Sequence, residues 1–264
     1  MTDAPVGHYL NLVGATLVET EALRITLRDV HRAARAQAMA CIHGDVGLGK
    51  TLAVTRSLQT LDQRRTIRLD LRKGASASEL RTVLFRTLGL PGDPPERPLA
   101  LDNLLTESFA QKPTVLLCDE AQGLSPKALD YLRTLWDREA TQLTILFVGG
   151  ENCRLHLLKR DALASRMVSW QQYTPLTPDE VRDFIPGYHP VWADVSPQDL
   201  LWVDDIVCHG NFRNWAKTTF HLQDELTGSP ELGGFSRQLL TSILNSLDST
   251  YRTQPTTPNP AGYM

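Results

Sequence analysis

The apolar residues of this chain fall into two kinds of run. Some are short and unbroken: "AMACIHG", "PTVLLCDE" and "LTILFVGG". Runs of this length bounded by glycine or proline read as strands buried on both faces. Others recur at helical spacing, as Leu23, Ile25, Leu27 and Val30 do within residues 19–36. "KTLAVTRSLQTL", "SASELRTVLFRTLGL", a stretch over about 100–110 and "SPKALDYLRTLWDRE" read as further helices. Ser76 is a candidate N-cap, and Ser125-Pro126 is a helix-opening pair. "TIRLDLR" (66–72) and "MVSWQQY" are two more strands, and a helical stretch ends at Arg166.

Strands alternating with amphipathic helices predict an α/β fold, a parallel sheet flanked by helices on both faces. After Thr177 the strands stop. "TPDEVRDFI", "SPQDLLWVDDIVCHG", "NFRNWAKTTFHLQDEL" and "SRQLLTSILNSLDSTY" all read as helices. The expected organisation is an α/β core with its N-terminal helix over 1–176, a small all-helical domain over 177–252, and a disordered tail over 253–264. The tail sequence "TQPTTPNPAGYM" is too poor in apolar residues to pack. No internal repeat is visible.

Composition narrows this only a little. The 264 residues are 42% hydrophobic and 22% charged, enough for one large domain or a large one with a small one. The net charge of −3 is unevenly spread: residues from Thr177 onward carry 11 acidic and 5 basic groups, so residues 1–176 carry +3. A polyanionic partner would therefore meet the N-terminal part. Four cysteines, Cys41, Cys118, Cys153 and Cys208, have neither metal nor redox spacing, and free buried thiols in a reducing compartment are expected. With no signal-peptide pattern and no apolar run near 18 residues, a cytoplasmic protein is expected.

The chemistry is concentrated in two places. Gly44, Asp45, Val46, Gly47, Leu48, Gly49, Lys50 and Thr51 form a phosphate-binding loop between a strand and a helix. Its glycines let successive backbone N–H groups curl around phosphate oxygens, and the following helix adds its positive end. Lys50 would reach the β- and γ-phosphates of ATP, and Thr51 would ligate Mg²⁺. The second place is Asp119-Glu120, at the carboxyl end of an apolar strand, where ligands of parallel sheets sit. Asp119 would hold the Mg²⁺ shell, and Glu120 would polarise the attacking water as general base.

These two motifs at this spacing resemble those of the AAA+ ATPases. "LKRDALASRMVSWQQYTPLTPDEVRDFI" resembles the clamp-loader arrangement, a helix ending in Ser-Arg, a short strand, and L-T-P-x-E opening a helical lid. The resemblance makes Arg166 the candidate finger acting in trans on a neighbour's nucleotide, with Arg160 as the alternative. Gly210-x-x-Arg213 resembles the sensor II motif, which would put Arg213 on the γ-phosphate. The strand end "VGG" departs from the pattern: a polar sensor I residue is expected there and Gly149 and Gly150 stand instead, leaving Asn152 or Glu151 as substitutes. Within AAA+, "DEAQGLSPKALDYLRTLWD" is most similar to the transposition helpers of the Mu B, TnsC, TniB and IstB types. This implies an ATPase that forms a homo-oligomer, ring or filament, on duplex DNA and recruits or activates a transposase.

Support for DNA from the residues themselves is thinner. Arg24, Arg28, Arg32 and Arg35 share one helix face, and Arg72, Lys73 and Arg81 follow the second strand. The latter three are the candidate contacts to DNA phosphates. A solvated surface, or a subunit interface with Glu19, Glu21 and Asp29, explains the arginine helix better. His43 and the five tryptophans read as structural. Two other readings remain open: an ExeA-like accessory ATPase of a membrane or secretion machine, which usually adds a membrane or wall-binding segment, and a phosphate-loop kinase, which needs no Glu120.

Overall fold

The computed structural model describes residues 12–61 and 64–247. The described chain divides into two compact units, one within residues 19–175 and a second built from residues 12–18 together with 176–247.

The first unit runs α1 (Glu21–Ala36), β1 (Met39–Gly44), α2 (Lys50–Gln59), β2 (Arg65–Leu69), α3 (Ala77–Thr87), α4 (Pro98–Gln111), β3 (Thr114–Cys118), α5 (Pro126–Trp136), β4 (Leu143–Gly149), α6 (Cys153–Leu158), α7 (Asp161–Ala164) and β5 (Met167–Tyr173). The five strands form one sheet in the order β2-β3-β4-β1-β5, and every pairing is parallel. Successive side chains of a strand point to opposite faces, and the core follows that alternation. Met39, Cys41, Leu116, Cys118, Ile145 and Phe147 pack on one face with α3, α4 and α5. Ala40, Ile42, Val115, Leu117, Leu146 and Val148 pack on the other with α1 and α2. The central strands β1, β3 and β4 are buried throughout, whereas the edge strands β2 and β5 are half-exposed.

Local signals act as the sequence suggests. Ser76 and Glu79 close a reciprocal capping box on α3, and Ser125 caps α5 ahead of Pro126. The stretch before Arg166 is not one helix but two, α6 and α7, broken at Lys159 and Arg160. All four cysteines are free and buried, three of them in this core.

The second unit contains α8 (Pro178–Tyr188), α9 (Pro197–Val203), α10 (Phe212–Gly228) and α11 (Arg237–Leu247), with a wide helical turn over Asp204–Cys208. Thr177 and Glu180 form the capping box that opens α8. Trp192 and Trp215 meet edge to face at 5.2 Å in the core, and the Trp192 indole donates to Thr219 Oγ1 at 2.8 Å. Here the expected boundary is corrected. Residues 12–18 do not belong to the α/β core: Leu12 is buried in the helical unit, the Thr16 N–H donates to the Tyr188 carbonyl at 2.8 Å, and His189 Nε2 lies 2.9 Å from the Val13 carbonyl oxygen. An apolar residue buried against these helices outweighs continuity with α1. The expected tail over 253–264 lies outside the described residues. Among the described residues no helix is long and apolar enough to cross a membrane.

Asp102 on α4 ties three helices together. It accepts from Arg81 Nε of α3 at 2.7 Å and from the Tyr131 hydroxyl of α5 at 2.7 Å. Burial pushes its carboxyl up, but the bonds from Arg81 and Tyr131 and the charges of Arg81 and Arg138 outweigh it and hold the group below its ordinary range. A depressed carboxylate stabilises the fold above its unfolded pKa, and that contribution fades as pH falls through the folded value. Asp102→Asn is expected to cost about 2 kcal/mol in urea unfolding at pH 7. The gap between the two proteins should narrow below about pH 4.

Candidate active site

Parallel strands present their carboxyl ends on one edge, and there the phosphate loop leaves β1. Gly44 has φ 141°, and a Cβ at this position would lie 2.4 Å from the Tyr173 carbonyl oxygen of the paired strand β5. Gly47 (φ 89°) and Gly49 (φ 91°) take left-handed turns that other residues adopt only with strain. Lys50 is buried, and its ammonium donates across the loop to the Asp45 carbonyl at 2.6 Å. Gly49 caps α2 without a side-chain bond, so the first N–H groups of this ten-residue helix have no capping side chain. The backbone N–H groups of a glycine-rich loop, a lysine and a helix N-terminus make a cradle that fits a nucleotide phosphate chain.

Asp119 and Glu120 follow β3 on the same edge. The Thr51 hydroxyl donates toward both Asp119 carboxylate oxygens, at 3.3 and 3.5 Å. A hydroxyl and a carboxylate at that separation are hard oxygen donors suited to Mg²⁺, which completes its shell with phosphate and water. Among the described residues no cluster of three His, Cys, Asp or Glu groups offers another metal position. Glu120 is exposed and sits at φ 51°, one of three non-glycine residues with positive φ among those described. Strain of this kind at a strand end aims a side chain away from the strand direction. A cleft of about 300 Å³ beside it is lined by Asp119, Glu120, Gln122, Lys73 and Leu69, among others.

Residues 32–157 match the family model described as an AAA domain. Among solved structures, the chain is similar to Cdc6p from Pyrobaculum aerophilum, with 18% identity and TM-score 0.63, covering 81% of this chain and 65% of that one. It is also similar to the ORC1 protein of Aeropyrum pernix in complex with DNA (17% identity, TM-score 0.57, 88% of this chain and 66% of that one). A third is the Thermotoga maritima RuvB Holliday junction branch migration motor (17%, 0.56, 87% and 70%). The fold is that of the AAA+ P-loop NTPases. The chain spans just under two thirds of the length of the first two structures. No curated protein matches the sequence.

The remaining candidate residues are in different states. Arg166 follows α7 and is gripped by its own chain: Nε and Nη2 donate to the two Asp137 oxygens at 2.5 and 2.9 Å, and Trp136 lies beneath the guanidinium. Arg160 reaches Asp130 only at 3.9 Å. Arg213 is exposed at the start of α10 in the helical unit. The turn before it is fixed by Asp204, which accepts from the Gly210 N–H at 2.7 Å and from the Trp215 indole at 3.1 Å. Arg72 is exposed and paired with Glu79, and Lys73 lines the cleft beside Glu120. Arg81 is bonded to Asp102 and stacked 4.1 Å from the Tyr131 ring. His43 is buried, and burial, then Arg154 and Lys50, hold its imidazole below the usual range, so it stays neutral and structural.

Two residues near the carboxylates were given no role by the sequence, although Gln122 lies in the stretch that carries the resemblance. Gln122 bonds to Glu120 at 2.5 Å, and Arg68 on β2 donates to Asp119 Oδ2 at 2.7 Å. Arg68 occupies with its guanidinium an oxygen that a divalent cation would use. An exposed pair of this kind contributes about 0.5–1 kcal/mol. Arg68→Ala is therefore expected to lower the Mg²⁺ concentration needed for ATP binding about two- to fivefold, measured by titrating Mg²⁺ against a fluorescent nucleotide.

Proposed function

We propose that the chain is a Mg²⁺-dependent ATPase that assembles on duplex DNA in its ATP state and regulates transposition by recruiting or activating a transposase. The observation that carries the ATPase reading is the convergence of Lys50, Thr51, Asp119 and Glu120 on one sheet edge, with Thr51 and Asp119 in contact. In this reading the loop and Lys50 hold the phosphates, Thr51 and Asp119 hold Mg²⁺, and Glu120 takes a proton from the attacking water. A carboxylate placed for water favours hydrolysis over transfer to another substrate, which sets aside the kinase reading.

The assembly reading draws on Arg166, Arg213 and the resemblance to transposition helpers. Arg166 acting in trans would have to leave or share Asp137, so subunit contact and loss of that pair would be linked. Arg72 and Lys73 supply charge for DNA phosphates, a contact without sequence preference. Two of the similar structures are a protein in complex with DNA and a Holliday junction branch migration motor, which supports a nucleic-acid role for this fold.

Lys50→Ala should abolish nucleotide binding. Glu120→Gln should retain it, lose turnover by about 10²–10⁴-fold, and form long-lived oligomers on DNA. Electron microscopy with duplex DNA and a slowly hydrolysed ATP analogue checks the assembly. Wild-type turnover in Glu120→Gln removes the general-base role, and absence of any ATP-dependent assembly on DNA sinks the regulatory reading.

A further inference from the structure

The strand end where the resemblance expects a polar side chain carries Gly149 and Gly150, and the structure supplies a polar group there from elsewhere. Gln122 lies two residues beyond Glu120 on a short helical turn, Ala121–Gly123. Its Nε2 donates to Glu120 Oε2 at 2.5 Å, and its Oε1 accepts from the Gly150 N–H at 3.1 Å. The assignment of the two amide atoms is forced by chemistry, since an ionised carboxylate only accepts and a backbone N–H only donates. The amide also fills the space left by the missing side chain: a Cβ at Gly149 would lie 2.2 Å from Gln122 Oε1 and 2.7 Å from the Cys153 side chain.

The turn that carries Gln122 is held from three sides. The Gly123 N–H donates to the Glu120 carbonyl at 2.7 Å and the Leu124 N–H to the Ala121 carbonyl at 3.1 Å. The Gly123 carbonyl accepts from the Gly74 N–H at 2.8 Å, and Ser125 Oγ donates to the Ala75 carbonyl at 2.7 Å. On the other side His156 Nε2 of α6 lies 2.9 Å from the Leu124 carbonyl oxygen. A side chain on so constrained a backbone presents its amide at a fixed point, the condition for positioning a reacting group.

We infer that Gln122 is a positioning residue for hydrolysis, clamping the Glu120 carboxylate to the end of β4 and replacing the polar strand-end side chain that the chain lacks. The inference rests on the reading of Glu120 as general base. In the step itself the water oxygen bonds to the γ-phosphorus as the bond to the β–γ bridging oxygen breaks. The water proton passes to Glu120, and ADP and phosphate result. Gln122 takes no part in bond exchange. It limits the directions from which the carboxylate meets the water, and a carboxylate free to swing loses that orientation.

Three variants separate this role from a structural one. Gln122→Ala removes both bonds. Gln122→Glu keeps the chain length and an acceptor for the Gly150 N–H, but cannot donate to Glu120 when ionised. Turnover and KM for ATP are measured for both, with duplex DNA present, and again in the Glu120→Gln background. Both variants should lose about 10- to 100-fold in kcat with KM within about threefold of wild type. Neither should slow Glu120→Gln further, because they act through the group already removed. Wild-type kcat in Gln122→Glu overturns the inference, leaving the amide as a prop for Gly150. The same fold loss from Gln122→Ala in both backgrounds overturns it too, since Gln122 would then act apart from Glu120. Wild-type turnover in Glu120→Gln alone removes the general-base reading, and the clamp falls with it.

Discussion

Parallel pairing of β1 with β4 and β5, and of β3 with β2 and β4, is the constraint from which the site follows. Strands that all run one way end on one edge, and each must return by a crossover that covers a face with helix. The chain therefore brings four strand ends together without any of them being near another in sequence. Gly44 leaves β1 there, Arg68 lies near the end of β2, Asp119 follows β3, and Gly149 closes β4. Both faces are apolar, so the edge is where polar chemistry can gather. The close approach of Gly44 to the Tyr173 carbonyl tightens one corner of that edge, because no side chain can separate β1 from β5 there.

What could be read in advance was what is local. The phosphate loop is eight consecutive residues whose glycines are required by their own backbone, so the sequence states it outright. The central strands were legible as unbroken apolar runs because burial on both faces removes alternation, while β2, half-exposed at one edge, gave a mixed pattern and blurred ends: residues 66–72 were expected as strand, and β2 is Arg65–Leu69. The other edge strand, β5, has the expected bounds. The segment 12–18 was not legible as part of the helical unit, since its partners Gly187 to His189 lie more than 160 residues away. Gln122 was hidden for a similar reason. Its role needs Gly150, and only the sheet places those two together.

Charge was the least legible property. Counting basic residues suggests a cationic core, but Arg68, Arg81 and Arg166 each hold a carboxylate of their own chain. Arg81 is the clearest case: it pairs with Asp102 and stacks on Tyr131, bracing three helices. Along α1, Arg24, Arg28, Arg32 and Arg35 all stay exposed, as the spacing of the face suggests, although Arg24 pairs with Glu21 and Arg28 with Asp29. Helical periodicity reports which way a side chain points, and says little about what is waiting for it.

The seating of residues 12–18 among the last helices has a consequence for how this protein is made. Residues 19–175 form a contiguous unit that can close as soon as they have left the ribosome. The helical unit cannot, because its first segment emerges before the α/β core and its remaining partners emerge after it. Leu12 and its neighbours must wait, unpaired, until the whole core and α8 have been translated. Synthesis therefore imposes an order, with the α/β unit formed first and the helical unit completed later by the contacts of Val13 and Thr16 with His189 and Tyr188.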